Sequence, residues 1–219
     1  MTDACPLCGD TQATLFHTLQ HGVYSGRQYW LCPTCWLVYV PRALQLSEAA
    51  EAAFYQTHEN NPDDPGYRHF LSRAATPLLE RLKRPSRGLD FGCGPAPTLS
   101  KMLIEQGHAC AEYDYYFAHQ PQLLEQQYDF ITCTEVIEHV SRPAQLLATW
   151  QRCLQPGGLL VVMTQLWISQ QRFSQWNYRN DPTHIAFYHA NTMVWIAQQW
   201  QLDICYQQRD VVIFQRKID

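Results

Sequence analysis

Three groups of side chains in this 219-residue chain are spaced to do chemistry. Cys5 and Cys8 form one C-x2-C pair, Cys32 and Cys35 form a second, and a long spacer lies between them. Each pair sets two thiolates on one tight knuckle. Two knuckles complete a tetrahedron of soft ligands, the set that zinc prefers. Four protein ligands leave no coordination position open, so the zinc they imply is structural. Redox-active thiols are the competing reading of the same pairs. The other cysteines, Cys93, Cys110, Cys133, Cys153 and Cys205, stand in apolar or motif surroundings and read as buried thiols.

The second group is Asp90, Gly92 and Gly94, in a segment that follows a short apolar run and precedes a helical one. The glycines permit a sharp turn and the close approach of a ligand. Asp90 can accept hydrogen bonds from an ammonium or a backbone amide. Asp114 follows where the next strand ends, and could hold a ribose diol. A dinucleotide-binding loop is the rival reading, but it expects glycine at position 97, where the chain has Pro97.

The third group is Glu135, Glu138 and His139, spaced to share one helix face, with His184 in a later polar stretch from Trp176 to Tyr188. Two carboxylates crowded into a cleft resist joint ionisation, and a divalent cation would relieve that. Without a metal, His139 or His184 is the natural base, since imidazole titrates near neutrality. Helix capping, surface solvation or, for His184, a simple bond to Asp181 are the plainer alternatives.

These groups need a frame. Residues 1–42 read as a small cysteine unit and 43–84 as helical, with Ser47 capping a helix to about His58. A break from Asn60 to Gly66 follows, then a helix from Tyr67 to Lys83 with a possible kink at Pro77. Strands are expected at Gly88–Phe91, Ala109–Tyr113, Tyr128–Thr132, Gly158–Thr164, Leu202–Tyr206 and Val211–Arg216. Helices fit between them at Thr98–Gln106, at Pro143–Leu154 with Ser141 as cap, and at Thr192–Trp200. This alternation predicts an α/β sheet covered on both faces, with an antiparallel C-terminal edge.

Composition narrows the function. Hydrophobic residues make up 46% and charged residues 16%, which argues against disorder, and the formal charge of −4 gives no whole-protein basic footprint. No apolar run approaches the length of a membrane span. The opening residues lack the basic and apolar segments of a secretory signal, so a cytoplasmic location is expected. A local excess of +5 lies over residues 68–87, where Arg68, Arg73, Arg81, Lys83, Arg84 and Arg87 face Glu80 alone. It could meet RNA phosphate or be a solvated helix face.

At the glycine loop and its spaced acid the chain resembles the class I S-adenosylmethionine-dependent methyltransferases, over roughly residues 67–219. The resemblance implies a Rossmann-like sheet in residues 85–219, with Asp90, Gly92 and Gly94 around the methionine part of S-adenosylmethionine and Asp114 on the ribose. The segment from Leu154 to Gly158 resembles the family's turn before strand five. Two departures stand out. Ala96 replaces a third glycine. The stretch from Asp114 to Asp129 is too short for the family's usual helix, strand and helix, so the strand-three region is shortened and the usual adenine-reading acid has no counterpart. Tyr115, Tyr116 and Phe117 could cover the adenine instead, or belong to the core.

The E-x-x-E-H segment with a later histidine resembles two metal-assisted branches, the ubiquinone-pathway O-methyltransferases and the small-RNA 3′-terminal 2′-O-methyltransferases. That resemblance implies magnesium or manganese on Glu135, Glu138, His139 and His184, with Glu138, His139 and His184 closest to the chemistry. The cysteine knuckles also resemble those of sugar C-methyltransferases and, with different spacing, of zinc-containing ribosomal-RNA methyltransferases. A small-molecule acceptor is the leading expectation, and Trp167, Phe173, Trp176 and Tyr178 suit a planar one. RNA, protein or sugar acceptors, and a non-catalytic binding protein, are the alternatives.

Overall fold

A computed structural model describes residues 3–56 and 61–218. The cysteine segment contributes β1 (Thr14–Thr18), β2 (Gln28–Leu31) and β3 (Val38–Tyr39), and two helices follow, α1 (Glu48–Tyr55) and α2 (Pro65–Leu79). The alternating region holds β4 (Arg87–Phe91), α3 (Thr98–Glu105), β5 (Ala109–Tyr113), β6 (Tyr128–Thr134), α4 (Pro143–Cys153) and β7 (Leu154–Met163). The chain then runs through the short α5 (Gln170–Phe173), β8 (Ala186–Phe187), α6 (Ala190–Gln199), β9 (Leu202–Gln208) and β10 (Val211–Arg216).

The larger sheet has the order β5-β4-β6-β7-β10-β9. Its first four strands are parallel, while β10 runs antiparallel to both β7 and β9. The tight turn at Arg209 and Asp210 makes this antiparallel edge, as the short spacing of the last two apolar runs predicts. Between β5 and β6 the only helical or strand element is a 3-10 turn at Pro121–Glu125, so β5 is the sheet's outer strand. This agrees with the shortened strand-three region expected from the sequence.

Strand β7 shows why the sheet is buried on both sides. Leu160 and Val162 pack with Leu147, Trp150 and Ile196 on one face. Leu159, Val161 and Met163 pack with Leu71, Leu78 and Leu103 on the other. Successive side chains of a strand point to opposite faces, so a sheet covered twice requires an unbroken apolar run.

The helix ends follow local chemistry. Ser47 accepts from the Ala50 amide and caps α1. The expected end of that helix at His58 lies outside the described residues. Asp64 accepts from the Tyr67 amide and Pro65 occupies the first turn, so α2 starts ahead of Tyr67. It ends at Leu79, short of Lys83. Ser141 does not cap α4: Arg142 holds the N-cap position without a side-chain bond, and Pro143 opens the helix with no amide to satisfy.

The four cysteines converge, with Cys5 Sγ 3.5 Å from Cys35 Sγ and Cys8 Sγ 3.3 Å from Cys32 Sγ. Zinc–sulfur bonds of about 2.3 Å imply a tetrahedral edge of roughly 3.8 Å, so the thiols stand close to where one ion would hold them. The surrounding sheet, β1-β2-β3-β8, takes its last strand from the far end of the chain. Val38 pairs with Phe187 and Tyr39 with Ala186. Cys5, Cys32, Cys35 and Leu37 also share one apolar cluster with Ile137, Tyr188 and Leu89.

Gly88 shows how tightly β4 and β6 fit. A Cβ there would lie 1.9 Å from Phe130 Cε2. Gly88→Ala is expected to cost about 1–3 kcal/mol through overpacking, read as a lower urea midpoint. Adding Phe130→Leu should recover part of that loss, whereas additive losses would show that the clash is not the cause.

Candidate active site

A cavity of about 940 Å³ opens where β4, β5 and β6 end, the usual ligand position in parallel α/β sheets. The glycine loop forms one of its walls. Gly92 and Gly94 both have positive φ, 78° and 67°. A Cβ on Gly92 would sit 2.3 Å from Val136 Cγ2, so the chain's own valine already demands glycine there. Asp114 ties this loop to the turn after β5. Its Oδ2 accepts from the Gly94 amide at 3.0 Å, and its Oδ1 from the Tyr116 and Phe117 amides at 2.8 and 3.1 Å. Two carboxylate oxygens offer about four acceptor sites, so one remains for a ligand hydroxyl. Gly92, Gly94, Asp114, Tyr115 and Tyr116 all line the cavity, which fits a nucleoside donor. Tyr115, Tyr116 and Phe117 are 61%, 38% and 40% exposed, so they do not belong to the core.

Asp90 is not on the cavity wall. It is buried behind the loop, where it accepts from Thr132 Oγ1 at 2.7 Å. Burial pushes its pKa up to about 6, against the opposing pull of the Thr132 bond.

A second wall starts at the end of β6. Glu135 has φ of 54°, and only Ile137–His139 form a 3-10 turn. Glu135, Glu138 and His139 therefore do not share the face of one helix, as their spacing suggests. The left-handed residue turns the chain and convergence is achieved differently. Glu138, His139 and His184 each place a ligand atom within 4.8 Å of the others. Glu135 is outside that triplet and is joined to it by Tyr178. The Tyr178 hydroxyl donates to Glu138 Oε1 at 2.6 Å and lies 3.4 Å from Glu135 Oε2. Glu135 Oε1 and Glu138 Oε2 are buried without a hydrogen-bond partner among the described residues. Burial, then the charge of Glu138, raises Glu135 to about 8. Burial likewise raises Glu138.

His184 has a defined tautomer. Its Nδ1 is 2.6 Å from the Tyr178 carbonyl, which can only accept. Nδ1 therefore carries the proton and Nε2 keeps a lone pair. Burial, then the nearby His139, lowers its pKa below the ordinary histidine value. A histidine whose second nitrogen is held by a carbonyl is also the usual outer-shell arrangement of a metal ligand. One carboxylate and two imidazoles, beside carboxylate oxygens lacking donors, form a set that fits a divalent cation.

Residues 65–207 match a known family described as a methyltransferase domain. The chain belongs to this methyltransferase-domain family. Among curated proteins it is similar to the ubiquinone biosynthesis O-methyltransferase of Photobacterium profundum, 34% identical over 74 residues, 32% of this chain and 30% of that protein. The protein of the same name from Pseudomonas paraeruginosa is 32% identical over 80 residues, 35% of this chain and 33% of that protein. The chain thus spans about a third of the length of these relatives. Its fold is similar to that of Burkholderia thailandensis 1,6-didemethyltoxoflavin-N1-methyltransferase, solved with 1,6-didemethyltoxoflavin and S-adenosylhomocysteine. The TM-score is 0.59 at 14% identity, covering 90% of this chain and 99% of that one. Magnesium protoporphyrin IX methyltransferase from Synechocystis PCC 6803 gives a TM-score of 0.53 at 13% identity, covering 78% and 95%. The shared fold is the class I S-adenosylmethionine-dependent one.

Within the family frame, the basic stretch at 68–87 is largely engaged by the protein itself. Arg68 pairs with Glu105, Arg73 with Asp210 at 2.6 Å, and Arg84 with Asp129 at 3.3 Å. Arg81 donates to the Pro77 carbonyl at 2.7 Å and Arg87 bonds to Gln126, while Lys83 is exposed. No helix among the described residues is long and apolar enough to cross a membrane. The bridging role of Tyr178 has no signature in spacing, because it stands far along the chain from Glu138. Only the polar density of its loop marks it. Val136, which dictates Gly92, is equally silent in sequence.

Asp90 yields a pH prediction. Its unfolded-state pKa is about 3.9 and its native value about 6. Below pH 4 both states hold the proton. Between pH 4 and 6 the unfolded chain releases it first, so the native protein loses stability as pH rises, and the loss is complete above about 6. Asp90→Asn lacks this slope. Its stability relative to the native protein, measured by urea unfolding, should rise by up to about 3 kcal/mol from pH 4 to 7. A pH-independent difference would refute the assignment.

Proposed function

We propose that this chain transfers the methyl group of S-adenosylmethionine to a hydroxyl of a small phenolic or diol-containing acceptor, with a divalent cation at Glu138, His139 and His184. The observation that carries this reading is that those three side chains converge beside the same cavity that the glycine loop and Asp114 line. Similarity to proteins named ubiquinone biosynthesis O-methyltransferases, although over a third of their length, supports a small phenolic acceptor. The fold shared with an enzyme solved with 1,6-didemethyltoxoflavin is consistent with a small-molecule acceptor. The internal pairing of the 68–87 arginines weighs against a phosphate-tracking surface for RNA.

When bound, the donor supplies an already activated methyl on its sulfonium. The protein's task is alignment and proton removal. Gly92, Gly94 and the free acceptor site of Asp114 hold the donor, and Tyr115 and Tyr116 cover its base. Without a cation, His184 Nε2, kept neutral by burial and aimed by the Nδ1 bond, receives the acceptor's proton; with a cation on Glu138, His139 and His184 that lone pair would be a ligand and the proton would pass to solvent. A magnesium or manganese ion on Glu138, His139 and His184 would lower the pKa of that hydroxyl. Tyr178 holds Glu138 in place and shares its proton across the glutamate pair. We assign Cys5, Cys8, Cys32 and Cys35 to a structural zinc. Burial raises Cys8 to about 12, while the bond from Cys35 lowers Cys5 to about 6.

Two experiments test these assignments. With catechol as probe, His184→Ala should slow single-turnover methyl transfer about 10²- to 10⁴-fold, with donor affinity changed less than about threefold. Chelator should stop transfer and manganese restore it. Full activity without a second-site metal would leave His139 and His184 as bases alone, and transfer only to an RNA with a free 3′ end would overturn the small-molecule reading. Separately, Cys32→Ser should lose about one zinc per chain by elemental analysis and lower the melting temperature, since metal binding here is folding energy. Unchanged zinc content would remove the structural assignment.

A further inference from the structure

The loop carrying Tyr178 and His184 has little regular structure of its own, so its carbonyls need outside donors. The cysteine unit supplies them. Arg27, just before β2, is 6% exposed and has no carboxylate within ion-pair distance among the described residues. Its Nη2 donates to the Pro182 and His184 carbonyls at 3.0 and 2.8 Å, and its Nη1 to the Asp181 carbonyl at 3.4 Å. Tyr29 Oη donates to the Arg179 carbonyl at 3.1 Å. The Val40 amide donates to the Ile185 carbonyl at 2.9 Å, and the Ile185 amide in turn donates to the Glu138 carbonyl at 2.9 Å. Bonds therefore run from the cysteine unit through residues 181–185 to the Glu138 turn.

We propose that the four-cysteine unit is a working part of the acceptor site, and that Arg27 is a positioning residue that fixes the 181–184 turn so that His184 Nε2 faces Glu138 and His139. The planar guanidinium suits this task, since its rigid fork can grip several carbonyls at once, whereas an ammonium is a single point charge. The spacer between the knuckles then has a function: it forms the β1–β2 hairpin that presents Arg27 and Tyr29. The Arg27 backbone is itself pinned, its amide bonded to the Tyr24 carbonyl and its carbonyl to the Leu19 amide. The catalytic importance of the clamp rests on the proposed acceptor-side role of His184. Its geometry does not.

The test uses the full chain with zinc bound and compares Arg27→Met with Arg27→Lys. Nitrogen-15 spectra of the His184 ring should show the Nδ1-protonated form in the native protein and a mixture of tautomers in Arg27→Met, with partial return in Arg27→Lys. Amide exchange over residues 178–188 should speed up at least tenfold in Arg27→Met, while exchange in β4 and β6 stays unchanged. Donor affinity by calorimetry should move less than about threefold, because the glycine loop is held separately by Asp114. Removing zinc should reproduce the loosening of 178–188. An unchanged His184 signal and unchanged exchange in a folded Arg27→Met would overturn the clamp, as would uniform loosening of the whole chain. Intact methyl transfer in His184→Ala, beside a lost His184 signal in Arg27→Met, would instead overturn the acceptor-site reading and leave the clamp standing.

Discussion

The antiparallel pairing of Ala186–Phe187 with Val38–Tyr39 joins two distant parts of the chain, and the acceptor side of the cavity is built on that joint. A two-residue strand has no stability by itself. It persists because β3 already pairs with β2, because the cysteine cluster fixes the turn before β3, and because Phe187 packs with Tyr29 and Phe173. The same joint places Ile185 between the cysteine unit and the Glu138 turn. Sequence position makes residues 1–42 look like an appendage, but their sheet and apolar cluster are continuous with the structure that shapes the cavity.

The donor side is held by a different set of forces. Its glycine loop follows a strand buried in the parallel sheet, and the loop's conformation is fixed locally by Val136 below and by Asp114 alongside. Leu89, Phe91 and Val136 also pack in the apolar cluster that holds Cys5, Cys32 and Cys35. The two walls of the cavity thus share a packed core, while their loops are fixed by different hydrogen bonds. The short connection after β5 lies on the same side as the glycine loop. Tyr115 and Tyr116 stand exposed at the cavity edge beside this outer strand.

What the sequence reveals tracks how local each interaction is. Strands β5 and β10 stand at their expected bounds because an apolar run between turn residues is a local signal. The C-x2-C knuckles are legible for the same reason, since each pair is contained in a single turn. Strand β8 is not legible: two residues carry no periodicity, and its partner lies far away. The cap of α4 misleads because Ser141 has the right chemistry one position too early, and Pro143 fixes the start regardless. In the site, residue type alone picks out Glu138, His139 and His184. The helical geometry expected for Glu135 fails because its left-handed φ cannot be read from an E-x-x-E-H string. The bond of Asp90 to Thr132 has no signature in the motif, since only the sheet register brings the two together.

The glutamate pair links these observations to chemistry. Two buried carboxyl groups bracket one phenol, and each has an oxygen without a donor among the described residues. Tyr178 has a single proton, so it cannot serve both glutamates fully. Leaving either carboxylate charged and undersupplied at such burial is costly, which is why both pKa values rise. The deficit can be met by a bound proton or by a cation, and the two solutions oppose each other: a cation that occupies Glu138, His139 and His184 would draw the proton off the pair. Such a site changes its protonation when it fills. This gives Tyr178 a part that its sequence position does not suggest, as the group that keeps the pair hydrogen-bonded in either state.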